Sequence, residues 1–175
     1  DARKHGIEIL PPDINASEKT FSVIKHEGKP AIRFGLEAIK GVGGVAVDAL
    51  LQERKEKGPF SDFIDFVKRV ANRKVNKKVM ECLISVGAFD RVSNENRATL
   101  LESMEQVMTY AQKEQEQSDL GQVSMFDAYQ AQGLKQMSLD TGHLYSRVSD
   151  WSESKKLQTE KSLVGFYVSG HPLEK

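Results

Sequence analysis

The chain has 175 residues, of which 39% are hydrophobic and 29% are charged, and its formal net charge is zero. This composition predicts one globular domain with a substantial tail, and the single cysteine, Cys82, excludes an internal disulfide and a cysteine-based zinc site. The zero net charge conceals an asymmetry, because residues 1–92 carry 17 Lys and Arg against 13 Asp and Glu, whereas residues 93–175 carry 8 against 12. A basic half followed by an acidic half favours a nucleic-acid face and then a solvated segment, although ordinary scatter of surface charge explains the split equally well.

The apolar runs are far shorter than the ~20 residues needed to span a bilayer, and no signal peptide opens the chain. We therefore expect a cytoplasmic protein. Because the sequence begins at Asp1 rather than at a methionine, we interpret it as an internal piece of a longer protein.

The first region, residues 1–35, is predicted to contain the β-structure. Gly6–Leu10 is typical of a short strand that ends at two prolines. Phe21–Lys25 and Ala31–Phe34 predict a β-hairpin whose turn contains Gly28.

Residues 36–118 predict a helical domain. Leu36 and Ile39 precede a glycine cluster, and a helix then continues to a stop at Lys57–Pro59. Apolar residues at three- and four-residue spacing predict two further amphipathic helices, one carrying Phe60, Phe63, Ile64 and Val67 and one carrying Val75, Val79, Leu83 and Ile84. Ser93 is a candidate N-cap for a long fourth helix.

Residues 119–150 have no sustained period and predict an irregular linker, whereas residues 151–175 regain a helical pattern. Asp150 fits an N-cap with Glu153 at the capping-box position, and Gly170 fits the stop. The sequence thus predicts a mainly α fold with a small N-terminal β portion: a helical domain, an irregular linker and a C-terminal helix.

The glycine cluster carries the first functional hypothesis. Two apolar residues three apart, then Gly-apolar-Gly and an apolar helix, are typical of a helix-hairpin-helix, with Val42 pointing inward. Glycines let the backbone approach a phosphate closely, and the amides that open the second helix form an anion site. The candidate residues for binding the DNA backbone are Lys40, Gly41, Val42, Gly43 and Gly44. A tight helix–helix turn without a ligand is the alternative.

A basic run supplies the second hypothesis, because no acidic residue occurs from Phe66 to Met80. If the run is helical, its members form like-charge i,i+4 pairs that repel each other. A nearby phosphate backbone would offset this repulsion. A solvated loop and helix end is an equally good interpretation. The candidate DNA-binding residues of this run are Arg73, Lys74, Lys77 and Lys78.

Six blocks, in order and spanning nearly the whole chain, resemble the bacterial DNA polymerase III alpha subunit family: Gly6–Asn15, Ile32–Leu36, Ala38–Gly43, Gly58–Phe60, Leu83–Asp90 and Gly165–Leu173. The resemblance implies that residues 1–35 end the polymerase fingers and that residues 36–118 are a helix-hairpin-helix domain on duplex DNA. It also implies that residues 151–175 lead into an oligonucleotide-binding fold, and that the whole protein works with the other polymerase III holoenzyme subunits.

The resemblance also gives a meaning to one segment of the linker. Gln122, Val123, Ser124, Met125 and Phe126 are similar to the family's clamp-binding peptide, in which a glutamine precedes two apolar anchors. Burial of two such side chains in a groove contributes about 1.5–3 kcal/mol each. The implied partner is the sliding clamp (beta subunit), while a satellite contact on the chain's own domain is the alternative.

No close acidic cluster of the kind that holds two catalytic metal ions is evident in the sequence. The resemblance implies that the catalytic aspartates and their Mg²⁺ belong to a part of the polymerase outside this chain, so we expect no catalytic residue, metal site or cofactor here. Two other hypotheses remain, a helix-hairpin-helix repair enzyme that flips a base and a protein-interaction scaffold that is indifferent to DNA.

Overall fold

The computed structural model describes residues 7–70, 74–119 and 141–165. The described elements are strands β1 (Glu8–Leu10), β2 (Ser22–His26) and β3 (Lys29–Arg33), followed by five α-helices: α1 (Gly44–Lys57), α2 (Phe63–Val70), α3 (Lys77–Ser85), α4 (Arg97–Asp119) and α5 (Glu153–Val164). Two 3-10 helices complete the described elements, at Leu36–Ala38 and Thr141–Leu144. The predicted class, mainly α with a small N-terminal sheet, is confirmed.

The sheet has the order β1-β3-β2. Strands β2 and β3 form the predicted antiparallel hairpin. Their two-residue turn has positive φ at both Glu27 (52°) and Gly28 (79°), the conformation that suits the right-handed twist of a hairpin. Strand β1 adds to β3 in parallel, a pairing that the local sequence pattern did not predict.

The core lies between α1, α2, α3 and α4. Three phenylalanines form its centre in edge-to-face contact, with ring centroids 5.2 Å apart for Phe63 and Phe89 and 4.9 Å apart for Phe66 and Phe89. Such pairs add about 0.5–1.5 kcal/mol beyond their buried area. Cys82 is a free, buried thiol, as predicted.

Two helix starts differ from the sequence prediction. Helix α4 begins at Arg97, and the side chain of Asn96 accepts a hydrogen bond from the Thr99 amide at 2.8 Å, so Asn96 is the N-cap rather than Ser93. Ser93 instead accepts from the Glu95 amide in the preceding turn.

Helix α5 is also capped differently. Ser152, not Asp150, accepts from the Lys155 amide. Gly165, with a φ of 87°, ends the helix in the left-handed conformation, whereas the predicted stop at Gly170 lies outside the described residues. Asp150 pairs with Lys156 at 2.6 Å.

Residues 141–150, predicted to belong to the linker, pack against α4. The amide of Ser146 donates to Ser103 Oγ at 2.8 Å, and the amide of Val148 donates to Thr99 Oγ1 at 3.0 Å. Leu144 is buried on the core. These contacts supply partners for Thr99 and Ser103, which are fully buried on α4.

Candidate nucleic-acid interface

The glycine cluster forms a tight turn between the 3-10 helix Leu36–Ala38 and α1. The amide of Val42 donates to the Ile39 carbonyl at 3.1 Å, and Gly41 has a φ of 86°. This pattern is typical of a type II turn, which requires positive φ at its third residue. The first helix of the predicted helix-hairpin-helix is thus a single 3-10 turn, and Val42 is buried as predicted.

Two glycines of this turn differ in what surrounds them. A Cβ added at Gly41 would lie 2.6 Å from Cys82 Sγ, so Gly41 is required both by its conformation and by its contact with α3. A Cβ added at Gly43 would meet no atom within 4 Å, and its φ of −77° is open to any residue. The space beside Gly43 is therefore open to a ligand.

The start of α1 leaves its backbone amides available. Its N-cap, Gly43, offers no side chain to accept a hydrogen bond, and its first turn has no acidic residue. Within the described part of the chain, the amides of Gly43, Gly44 and Val45 have no acceptor. Because the positive end of the helix dipole lies at the same place, this end of α1 suits an anion.

The candidate lysines divide between two faces. Lys40 is exposed within the turn, and the Cε atom of Lys78 lies 4.0 Å from the Cβ position of Gly41, so Lys78 adjoins the turn. Lys77 faces α4 instead, where Glu105 Oε1 lies 2.5 Å from its Nζ. This hydrogen bond raises the pKa of Lys77 and lowers that of Glu105.

The basic run is not one continuous helix, so Lys74 and Lys78 do not form a helical i,i+4 pair. Asn76 caps α3 by accepting from the Val79 amide at 3.0 Å, so the helix begins at Lys77 and Lys74 precedes it. Arg73 lies outside the described residues, as do Gln122, Val123, Ser124, Met125 and Phe126.

A charged group that the sequence did not single out flanks the other side of the turn. Lys19 pairs with Asp48 at 3.0 Å, and this hydrogen bond raises the pKa of Lys19. Glu37 Oε1 would lie 2.8 Å from a Cβ added at Gly44. Because Asp48 and Glu37 together outnumber Lys19, this side of the turn carries a net negative charge. The Gly41–Gly43 side, next to Lys78, is therefore the more favourable approach for an anion.

A backbone contact from α5 was also missed. The amide of Lys40 donates to the carbonyl of Leu163 at 2.8 Å. No residue type marks such a bond in a sequence, since both atoms belong to the main chain.

Two other features are absent from the part of the chain that the structure describes. In residues 7–70, 74–119 and 141–165, no group of three or more His, Cys, Asp or Glu side chains is placed to hold a metal ion. In the same part of the chain, no helix has the length and apolar character needed to cross a membrane.

The turn, the uncapped helix start and the core shared by α1, α2 and α3 are typical of a helix-hairpin-helix. Residues 6–100, more than half of the chain, match the family described as "Helix-hairpin-helix motif", and the chain belongs to that family.

Within that class, the chain is homologous over nearly its whole length to a segment of DNA polymerase III subunit alpha, which confirms the resemblance found in the sequence. It is 38% identical over 174 residues to the protein of Borreliella burgdorferi, a match that covers 99% of this chain and 14% of the relative. It is also 38% identical over 173 residues to the protein of Thermus aquaticus, covering 99% and 13%, and 34% identical over 174 residues to that of Vibrio cholerae, covering 99% and 14%. The chain thus spans about a seventh of the length of these relatives.

Proposed function

We propose that the chain is a duplex-DNA-binding region of a replicative DNA polymerase, which holds the sugar–phosphate backbone without catalysing a reaction itself. The single observation that carries this proposal is the open, uncapped start of α1 beside Gly43. Free backbone amides and lysines bind phosphate oxygens irrespective of the base sequence. The candidate residues of this interface are Lys40, Gly41, Val42, Gly43, Gly44, Arg73, Lys74, Lys77 and Lys78.

The structure favours some of these residues over others. Lys40 and Lys78 adjoin the turn, whereas Lys77 is paired with a carboxylate of α4. We therefore assign the main contacts to the turn amides, Lys40 and Lys78. We further infer that the polymerization reaction and its Mg²⁺ ions belong to other parts of the longer protein.

Val45 provides a sharp test because it is 65% exposed in the first turn of α1. In Val45→Glu, a negative charge near the helix N-terminus stabilises the fold by about 0.3–1 kcal/mol but repels a phosphate at the same place. We expect duplex affinity to fall at least about tenfold, or ~1.4 kcal/mol, at low salt while the thermal midpoint is unchanged or higher. Fluorescence anisotropy with a labelled duplex measures the first quantity and calorimetry the second.

Val45→Gln is the matched control, since it has a similar size and no charge. It should bind duplex DNA within about twofold of the wild type. Equal binding by the Glu and Gln variants would mean that this end of α1 does not face DNA.

We further propose that Gln122, Val123, Ser124, Met125 and Phe126 bind the sliding clamp. The support is chemical: a glutamine amide and two adjacent apolar side chains suit an apolar groove edged by backbone groups. Burial of the two anchors, less the free energy of ordering the segment, predicts a dissociation constant on the order of micromolar. Simultaneous attachment to DNA then raises the effective concentration of the segment.

The double variant Gln122→Ala, Phe126→Ala tests this second proposal. It should lose binding to purified clamp, as measured by surface plasmon resonance, and keep the duplex affinity of the wild type. Clamp binding equal to that of the wild type would exclude the tethering role. The same pair of measurements separates a DNA-binding region from a scaffold indifferent to DNA, and a base-release assay tests for a repair enzyme.

A further inference from the structure

A shallow cleft adjoins the glycine turn on the side of α3. It has a volume of about 360 Å³ and lies between α3 and α5. Its lining consists of Lys78, Glu81, Cys82, Ser85, Gln158, Thr159, Ser162 and Leu163. Three of these residues also adjoin the turn. Cys82 Sγ and Lys78 Cε lie 2.6 Å and 4.0 Å from the position that a Cβ on Gly41 would occupy, and the carbonyl of Leu163 accepts from the amide of Lys40. The cleft and the turn therefore form one continuous surface.

The α5 wall of this cleft carries side-chain donors that make no hydrogen bond within the described residues. Within the described residues, the side chains of Gln158, Thr159 and Ser162 have no hydrogen-bond partner, and Gln158 and Ser162 are exposed. Hydroxyl and amide groups of this kind commonly donate to phosphate and sugar oxygens of DNA.

Helix α5 is held firmly enough to present these donors at a fixed distance from the turn. Glu160, on its buried face, accepts from Arg97 at 3.0 Å, and Leu157 is buried. At the C-terminal end, the hydrogen bond from Lys40 to Leu163 joins α5 directly to the turn at 2.8 Å.

The net charge of the cleft determines whether it attracts a free anion or only a backbone that is already bound. Among the described residues that line the cleft, the ionisable side chains are Lys78, Glu81 and the buried thiol of Cys82, and burial raises the pKa of that thiol. With one cation and one carboxylate, the cleft has no net charge and would not attract a free anion from solution. It suits a backbone that the turn has already bound, to which it adds hydrogen bonds.

We propose that the α3–α5 cleft is a second backbone-binding subsite, in which Gln158 and Ser162 donate hydrogen bonds to phosphate or sugar oxygens of the duplex held by the turn. This inference rests on the proposed DNA-binding function and deepens it. It makes α5, far along the chain from the turn, part of the same interface.

The test compares Gln158→Ala, Ser162→Ala with wild type in duplex binding over a series of salt concentrations. Loss of two hydrogen bonds to a charged backbone should weaken binding roughly tenfold. Because neither residue is charged, the slope of log affinity against log salt should be unchanged, whereas Lys78→Ala should reduce its magnitude by about 0.9. Both positions are exposed, and alanine favours a helix, so the thermal midpoint should not fall.

Ser154→Ala is the control, because Ser154 is exposed on α5 and does not line the cleft. Duplex binding by the double variant equal to that of Ser154→Ala would overturn the inference, and so would a change in its salt slope. Suppose that wild type binds the duplex, that Val45→Glu abolishes binding and that the double variant still binds like wild type. The cleft is then excluded as a subsite, while the function proposed for the turn stands. If wild type itself shows no salt-dependent duplex binding, the function proposed for the turn fails and the cleft fails with it.

Discussion

Two of the glycines with positive φ, Gly41 and Gly87, lie in turns with opposite surroundings. Gly41 has a φ of 86° and Gly87 a φ of 84°, but Gly41 is exposed and Gly87 is buried. The guanidinium of Arg97 covers Gly87, whereas the turn at Gly41 leads to helix amides with no acceptor in the described part of the chain. A left-handed glycine therefore does not indicate a ligand site by itself. Backbone amides without an acceptor and cations without a carboxylate partner are the better indication.

The charged side chains around the Gly87 turn pair with one another. Arg97 is 5% exposed and donates to Asp90 Oδ2 at 2.7 Å, to Glu160 Oε1 at 3.0 Å and to the Ser85 carbonyl at 3.2 Å. Burial alone would lower the pKa of Arg97, but its hydrogen bonds to the two carboxylates more than offset this and raise it. This turn is a structural junction of α3, α4 and α5.

The largest expected effect comes from breaking that junction. Arg97→Met leaves the buried carboxylate of Glu160 without its guanidinium, and loss of one partner of a buried ion pair costs about 3–5 kcal/mol. Thermal unfolding should show a midpoint lower by roughly 10–15 °C for a chain of this size.

A second substitution tests whether the lost stability comes from the buried charge of Glu160. Adding Glu160→Gln to Arg97→Met removes the buried carboxylate charge that has lost its guanidinium and should recover part of the lost stability. A single variant as stable as wild type would show that the Gly87 turn does not depend on Arg97.

The second largest effect concerns the hydrogen bond that joins the Gly41 turn to α5. Lys40 is the second residue of a type II turn, a position that accepts proline, so Lys40→Pro removes the hydrogen bond to Leu163 while it keeps the turn. The lost bond, about 0.5–1.5 kcal/mol, is nearly offset by the lower entropy of the unfolded chain. We expect little change in stability and a severalfold loss of duplex affinity.

Lys40→Ala is the matched variant for this prediction, because it removes the lysine charge and keeps the amide. Lys40→Pro should bind duplex DNA more weakly than Lys40→Ala. Equal anisotropy titrations would show that the link to α5 has no part in positioning the turn.

The smallest effect concerns two neighbouring lysines. Lys78 adjoins the turn and has no carboxylate partner among the described residues, whereas Lys77 is paired with Glu105. Lys78→Ala should weaken duplex binding severalfold and reduce the magnitude of the salt slope by about 0.9. Lys77→Ala should leave the slope unchanged, and the reverse order in a salt titration would contradict the assignment of faces.

Local patterns in the sequence predicted most of the fold and part of the site. Helices α1 to α4 follow from apolar spacing and from the stop at Gly58, and the turn follows from Gly41 and Gly43. The caps were misplaced because Ser93 and Asp150 are good capping residues that lie two or three positions before the ones used. The partners of Lys77 and of the Lys40 amide could not be predicted, because both contacts join residues far apart in the chain and one of them involves only backbone atoms.

The hydrogen bond between Lys40 and Leu163 has a consequence for how the protein is made. A ribosome adds about 5–20 residues per second, so roughly 6–25 s pass between synthesis of the turn and synthesis of its partner on α5. A nascent chain halted before α5 would carry the glycine turn with its Lys40 amide unsatisfied by Leu163. On the DNA-binding function proposed above, the binding surface would be complete only after the last described helix has left the exit tunnel of the ribosome.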